Sequence, residues 1–412
     1  MKNPNKFYLI FVLLLVLVLS SCSSKDPAKL YAEGDAYSAV LTSLQSKYYG
    51  LVHLALATTA YADIKDKKNI ADTFRTFIEK TLPTLPAPQG FKSTFNPKWK
   101  LEWGPAVAED NSNLVCVVTC GPPNEQPYFR AVILRGTDIS AKPRGLINQL
   151  FQDLSAYKQK IWSKFLDESL GKYNVYGRSV DVKDTSIHVA SGSADALKKV
   201  LGLKLVKDAS GSGTLIEHLQ SVHAENTPLV VTGHSLGGAL TQVVSAFIAW
   251  QLKGAFQNEI QPVCDSIFPN AFAPPTVGDS SFAAAYDKLF PSNYFWFNIS
   301  DVVPKAYVCI DSVKLLWGSY TYKDSSNIVK NGASFPNWLE PTLDTMEAHL
   351  PKNYARPTNN QLSFKADYLP KPNKTAKLDP WLGELIYQHF PKCYYDHISK
   401  VSGLAPYNPF NF

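Results

Sequence analysis

The chain has 412 residues, of which 45% are hydrophobic and 12% aromatic, and its formal net charge is +6. This composition supplies enough apolar side chains for a large buried core and excludes an intrinsically disordered protein. The charge is too mild to indicate nucleic-acid binding, so no nucleic-acid partner is expected.

The first 21 residues predict an export signal. Lys2 and Lys6 precede an apolar run over residues 7–19, which is too short to span a bilayer comfortably and is typical of a signal-peptide core. The following Leu-Ser-Ser-Cys sequence resembles the lipobox of bacterial lipoproteins, which implies that Cys22 is lipidated and that residues 1–21 are removed. The resemblance implies a membrane-anchored lipoprotein at the outer membrane or cell surface. An ordinary secretory signal with an incidental cysteine is the alternative.

Residues 22–98 are predicted to form a polar tether and a helical region. Apolar residues between positions 29 and 85 recur at helical spacing, and a second helix over 70–82 ends at Pro83. His53 lies within the apolar stripe of this region, where a hydrogen-bonded core histidine is more common than a catalytic one. The proline-rich stretch 82–97 predicts a linker to a body formed by residues 99–412.

Strands alternate with helices along this body. Alternating or continuous apolar runs predict strands over 99–107, 114–119, 128–134, 186–190, 229–232, 265–273 and 294–299. Helical periodicity is predicted for 214–223, 236–252 and 279–289. Such alternation predicts an α/β fold with a mostly parallel central sheet and helices on both faces, in which catalytic residues collect at the carboxyl ends of strands.

The sequence Pro-Leu-Val-Val-Thr-Gly-His-Ser-Leu-Gly-Gly-Ala-Leu at 228–240 is the most informative stretch of the chain. Ser235 lies where a buried strand changes to helical periodicity, with Gly233 and Gly237 on either side to allow a sharp turn. The N–H of Leu236, the next residue, is the natural donor to an oxyanion at the start of the helix. We interpret this stretch as a nucleophile elbow; a glycine-rich turn with a solvated serine is the alternative.

A serine nucleophile needs a histidine base and a carboxylate that orients it. Asp301 directly follows a predicted strand and precedes Pro304, whereas Asp265 and Asp279 begin a strand and a helix, where a turn or capping role is expected. Three histidines lie downstream, namely His349, His389 and His397. We predict His397, which lies between aromatic residues near the C-terminus, as the base, with His389 as the alternative.

These residues resemble the class 3, or fungal-type, lipases. The matching pieces are Ile-Leu-Arg-Gly-Thr ending at Thr137, the elbow around Ser235, Pro-Pro-Thr-Val-Gly-Asp at 274–279, Asn-Ile-Ser-Asp-Val-Val-Pro around Asp301, and Tyr-Asp-His at His397. The resemblance implies an α/β-hydrolase fold and a Ser235, Asp301 and His397 triad. It also implies oxyanion donors at Thr137 and Leu236, and a lid near 138–154.

Other parts of the chain have no counterpart in that resemblance. An aromatic insertion near 310–390 is expected to serve packing rather than lipid binding, and the helical N-terminal region is also additional. Five cysteines remain if Cys22 is acylated, and their spacing gives no disulfide connectivity. No metal site and no cofactor are expected.

The sequence therefore predicts a serine hydrolase that cleaves the carboxylic esters of lipids through an acyl-enzyme. A phospholipase A1, a thioesterase or an acyltransferase would use the same triad. A non-catalytic lipoprotein that binds lipid on this scaffold is the alternative outside enzymes. The predicted partners are a lipid or ester substrate and a membrane surface reached through Cys22.

Overall fold

The computed structural model describes thirteen segments of the chain. These are residues 50–61, 69–81, 98–110, 112–122, 126–136, 155–170, 185–223, 227–255, 266–316, 321–323, 329–331, 339–367 and 380–401. Cys22, Thr137, the predicted lid and Cys264 lie outside them.

An eight-stranded sheet forms the centre of the molecule. Its strands are β1 (Lys98–Val107), β2 (Leu114–Gly121), β3 (Phe129–Arg135), β6 (Leu205–Ser210), β7 (Leu229–His234), β8 (Ile267–Phe272), β9 (Tyr294–Asn298) and β12 (Gln361–Phe364). They lie in the order β12-β9-β8-β7-β3-β2-β1-β6. The short strands β4 (Gln159–Ile161) and β5 (His188–Ala190) form a separate pair, as do β10 (Thr321–Lys323) and β11 (Val329–Asn331).

Five neighbouring strands of the central sheet are parallel. β3 pairs with β7, β7 with β8, β8 with β9 and β9 with β12 in parallel register, while β1, β2 and β6 form an antiparallel extension. The strands β3, β7 and β8 are buried along their whole length because helices cover both of their faces. The predicted mostly parallel α/β fold is confirmed.

Eleven α-helices accompany the sheet in the described segments. They are α1 (Gly50–Thr59), α2 (Ile70–Thr76), α3 (Trp162–Leu170), α4 (Ser191–Leu201), α5 (Leu215–His223), α6 (Leu236–Ala255), α7 (Ser280–Leu289), α8 (Ile310–Leu315), α9 (Glu340–His349), α10 (Pro380–His389) and α11 (Pro391–Val401). Two short helices of other types are Phe77–Thr81, a π-helix after α2, and Val303–Lys305, a 3₁₀ helix after β9. Among the described helices, none has the length and apolar content needed to cross a bilayer.

The two faces of the sheet are covered by different parts of the chain. Side chains alternate along each strand, so Val231 faces a core built with α4, α6 and α7, while Val230 faces a core built with α1 and α2. Each fully buried aliphatic side chain in these cores stabilises the fold by about 1.5–3 kcal/mol. The helices of the N-terminal region therefore cover one face of the central sheet.

The C-terminal region builds on the carboxyl end of this sheet. β12 pairs with β9 in parallel register and extends the sheet, and α11 packs on the same edge through Tyr394 and Ile398. α8, α9 and α10 form a further buried cluster with the segment after β9, in which Trp381 is fully buried. β12 and α10 lie within residues 310–390, which the sequence predicts to be an insertion. The sequence predicts neither element, because each is too short to give a clear apolar pattern.

Candidate active site

The turn between β7 and α6 has the geometry of a nucleophile elbow. Ser235 has a φ of +60°, in the left-handed region that a non-glycine residue rarely adopts. The backbone accommodates this turn because Gly233 and Gly237 lack a Cβ; one added at Gly233 would collide with the carbonyl of Gly237, and one at Gly237 with the carbonyl of Leu134. Strand, strained serine and helix thus follow one another as the sequence predicts.

One histidine joins Ser235 to a carboxylate. His389 Nε2 lies 2.8 Å from Ser235 Oγ, and His389 Nδ1 lies 2.8 Å from Asp301 Oδ2. An ionised carboxylate only accepts hydrogen bonds, so Nδ1 carries the proton and Nε2 is left to accept from the serine hydroxyl. All three side chains are buried. The arrangement allows the imidazole to take the serine proton while the carboxylate stabilises the resulting positive charge.

His397, which the sequence favours as the base, lies elsewhere. Its ring stacks on Phe364 with 4.0 Å between centroids and an interplanar angle of 11°, and it has no hydrogen bond to Ser235 or Asp301. Partial burial and the nearby Lys400 lower the pKa of His397. The choice of His397 was wrong, because the aromatic residues around it belong to a packing cluster and not to a catalytic cleft.

His389, the histidine that contacts Ser235, is the last residue of α10. Phe390 and Pro391 follow directly and end the helix, so His389 projects from the junction between α10 and α11. The sequence could have indicated His389 through this helix end, which follows the last parallel strand. That inference requires β12 to be recognised as a strand first.

Three donors hold the carboxylate of Asp301. Besides His389, the hydroxyl of Tyr394 donates to Oδ2 at 2.7 Å, and the backbone N–H of Val303 donates to Oδ1 at 2.9 Å. Burial and the adjacent Asp301 charge raise the pKa of Tyr394 well above its usual value, so the phenol stays protonated and donates. Sequence reasoning missed Tyr394, since its position depends on the packing of α11.

Leu236, the first predicted oxyanion residue, lies at the start of α6. The N–H of Leu236 is the first of the helix, and such N–H groups have no partner within the helix. A Cβ at Gly136 would lie 2.9 Å from Leu236 N, so the end of β3 passes directly over this donor. Thr137, the second predicted oxyanion residue, is the next residue along and lies outside the described segments.

His234, the residue before the nucleophile, ties the elbow to α10. Its Nε2 lies 2.8 Å from the carbonyl oxygen of His389 and donates to it, and the two rings are 4.8 Å apart. Burial, followed by the nearby His389, lowers the pKa of His234 well below its usual value and keeps it neutral. Tyr61 at the end of α1 donates to the carbonyl oxygen of His234 at 3.0 Å. The N-terminal region thus contacts the turn that carries Ser235 through the residue before the serine.

The remaining candidate residues have structural positions. Asp279 caps α7 by accepting from Phe282 N at 2.8 Å, as its place before a helix predicts. His53 is buried and lies 2.5 Å from Asn270 Nδ2, which agrees with a hydrogen-bonded core histidine. His349 Nδ1 lies 2.8 Å from the carbonyl oxygen of Thr345 and donates to it within α9.

The described segments contain neither a disulfide nor a metal site. The four cysteines found there, Cys116, Cys120, Cys309 and Cys393, are free thiols. Burial raises the pKa of Cys393 to about 12, so this thiol next to the triad stays protonated. No group of three or more histidine, cysteine or acidic side chains in these segments has a geometry that could hold a metal ion.

Comparison with known proteins agrees with the fold described above. Residues 131–310 match the family model described as lipase (class 3). The crystal structure of M37 lipase superimposes with a TM-score of 0.59 at 21% identity, covering 87% of this chain and 98% of that one. A lipase of Yarrowia lipolytica has a TM-score of 0.39 at 15% identity, covering 62% and 73% of the two chains. A Rhizomucor miehei lipase has a TM-score of 0.36 at 18% identity, covering 64% and 62%. No curated protein sequence matches the chain.

Proposed function

We propose that this chain, a carboxylic ester hydrolase by its class 3 lipase match, cleaves lipid esters with Ser235 as nucleophile, His389 as base and Asp301 as the orienting acid. The observation that carries the proposal is the pair of 2.8 Å contacts that joins these three side chains. Every polar atom of this relay has a partner whose donor or acceptor role fits the same reaction.

The reaction begins when His389 Nε2 removes the proton of Ser235 Oγ, which attacks the ester carbonyl carbon. The carbonyl π electrons move to oxygen, and the tetrahedral oxyanion is stabilised by the N–H of Leu236 together with a donor at Thr137. When the intermediate collapses, the protonated histidine gives its proton to the leaving alcohol, and an acyl-serine remains. Water then attacks the acyl-serine with the same base, which releases the fatty acid and restores the serine.

The chain also carries the features of an exported, lipid-anchored protein. Lys2, Lys6 and the apolar run 7–19 ahead of Cys22 support removal of residues 1–21 and acylation of Cys22. The acyl chains would tether the enzyme to the membrane that supplies its substrate. Radiolabelled palmitate should be incorporated into the wild-type protein and not into Cys22→Ala, which should appear in the soluble fraction; equal labelling of both would exclude this anchor.

The catalytic proposal is tested by a fluorophosphonate probe together with ester hydrolysis. We expect Ser235 to be labelled, and Ser235→Ala to lose labelling and to reduce turnover of p-nitrophenyl esters by a factor on the order of 10⁶. Ser280→Ala, which changes an exposed serine at the start of α7, is the matched control and should keep both. An unlabelled wild-type Ser235, with its native fold retained, would favour the non-catalytic lipid-binding alternative.

A further inference from the structure

Two cations, Lys305 and Arg356, lie beside the segment that carries Asp301. Lys305 is the last residue of the 3₁₀ helix that follows Asp301, and Arg356 lies two residues after Tyr354. The rings of Tyr307 and Tyr354 are in contact, with centroids 5.8 Å apart, so the two segments pack against each other. In the described segments, neither cation has a carboxylate within ion-pair distance.

The guanidinium of Arg356 contacts an aromatic ring, and one of its nitrogens has no hydrogen-bond partner among the described residues. Its Cζ lies 4.7 Å from the centroid of the Phe297 ring, in a cation–π contact with a residue of β9. This terminal nitrogen, Nη1, is buried and has no acceptor in the part of the chain that the structure describes. Leaving a buried charged donor unsatisfied is costly, and one aromatic face compensates only part of the loss. An anion bound at this position would supply the missing acceptor.

Lys305 adds a second charge at the same place. Its side chain is half-buried, and burial followed by the neighbouring Arg356 lowers its pKa. Asp301 is close enough to attract Lys305, but its carboxylate already accepts from His389, Tyr394 and Val303. The two like charges repel each other, so the arrangement is at its most stable when an anion lies between them. A forked guanidinium beside an ammonium matches the oxygens of a phosphate group.

We propose that Lys305 and Arg356 form a subsite for the phosphodiester group of a glycerophospholipid whose ester is cleaved at Ser235. The proposal rests on the ester hydrolysis proposed above. Phe297 and Asp301 lie on β9 and just after its end, so the subsite is next to the triad along the same edge of the sheet. In a glycerophospholipid only glycerol carbons separate the phosphate from the ester groups, so the two groups bind at neighbouring positions of one site.

The first experiment compares two substrates with the same acyl chains. Fatty-acid release from dioleoylphosphatidylcholine and from dioleoylglycerol is measured in the same detergent micelles, with the full chain. We expect Arg356→Gln and Lys305→Gln each to lower kcat/KM for the phospholipid by about tenfold or more, mainly through KM, and to change it by less than about threefold for the diacylglycerol. Lys352→Gln, an exposed cation of the same segment, should change neither. Equal losses on both substrates, or no loss on the phospholipid, would overturn the proposal.

A second experiment needs no catalysis. Cys309 is an exposed free thiol whose N–H bonds the carbonyl of Lys305 at 3.0 Å, and it lies near both cations. Alkylation of Cys309 by iodoacetamide, followed by peptide mass spectrometry in Ser235→Ala, reports occupancy. Glycerophosphocholine should slow alkylation, and the protection should disappear when Arg356→Gln is added. Protection by inorganic phosphate but not by the phosphodiester would assign a free-anion site and overturn the head-group proposal, as would no protection by either.

This design separates the two proposals. If wild-type protein hydrolyses neither micellar substrate but glycerophosphocholine still protects Cys309, the catalytic proposal fails and the anion subsite stands. If the diacylglycerol is hydrolysed and no phosphodiester protects Cys309, the catalytic proposal stands and the subsite fails. Circular dichroism melting curves confirm that each variant is folded, and Lys305→Gln, at a less buried position than Arg356, keeps the test valid if Arg356→Gln does not fold.

Discussion

Replacing each of the two C-terminal histidines in turn separates the catalytic base from a packing residue. His389→Ala removes the group that links Ser235 to Asp301, and its backbone carbonyl still accepts from His234, so the local fold should persist. Loss of the base in serine hydrolases lowers kcat by a factor on the order of 10⁴–10⁶, equal to about 5–8 kcal/mol of barrier. We expect this loss for His389→Ala on p-nitrophenyl butyrate, together with loss of fluorophosphonate labelling.

His397→Ala should have the opposite profile. The stack on Phe364 is worth about 0.5–1.5 kcal/mol beyond the area it buries, so the urea midpoint of unfolding should fall. Since the ring has no bond to the relay, kcat should stay within about twofold of wild type. The reasoning is refuted if His397→Ala loses activity by a thousandfold with its circular dichroism spectrum unchanged, while His389→Ala retains turnover.

Two further predictions concern buried groups around the triad. Tyr394→Phe removes a hydrogen bond to the charged Asp301. Because Tyr394 positions the carboxylate and does not touch the substrate, kcat should fall by about tenfold at unchanged KM in steady-state assays. An unchanged kcat would contradict this role. Burial lowers the pKa of His53 to about 3, so the unfolded state takes up a proton below about pH 6.5 while the folded state does not. The contribution of His53 to the free energy of unfolding should therefore be fully present above that pH and fall by about 1.4 kcal/mol per pH unit toward pH 3. In urea unfolding of His53→Gln, the free energy of unfolding should change less steeply with pH, by that amount. An unchanged pH dependence would exclude His53 as its source.

The parts of the site that follow from local sequence could be predicted, and those that depend on distant packing could not. Ser235 is defined by a strand, two glycines and a helix within thirteen residues, and Asp301 by a strand end followed by a proline. His389 depends on β12 pairing with β9 and on where α10 then ends. A chain-order rule places the base downstream of Asp301, but it cannot distinguish a ring that faces a cleft from one that stacks on Phe364.

The same distinction applies to the sheet. The strands β3, β7 and β8 are buried and mostly apolar, and the sequence predicts all three. The edge strand β6 was missed because its residues are mostly half-buried or exposed, so it lacks an apolar run that marks a core strand. Propensity identifies strands that pack on both faces, whereas edge strands are defined by the partner beside them.

The position of the base is fixed by the two turns that carry its partners. His234, one residue before the nucleophile, donates to the carbonyl of His389, and Asn298, three residues before Asp301, donates through Nδ2 to the carbonyl of Gln388 at 3.2 Å. Both acceptors are carbonyls at the end of α10, which have no partner within the helix. Any shift of α10 would break bonds to both turns at once. These backbone bonds therefore fix the position of the His389 imidazole relative to Ser235 and Asp301. The ring nitrogens take no part in them and remain available to exchange a proton with Ser235.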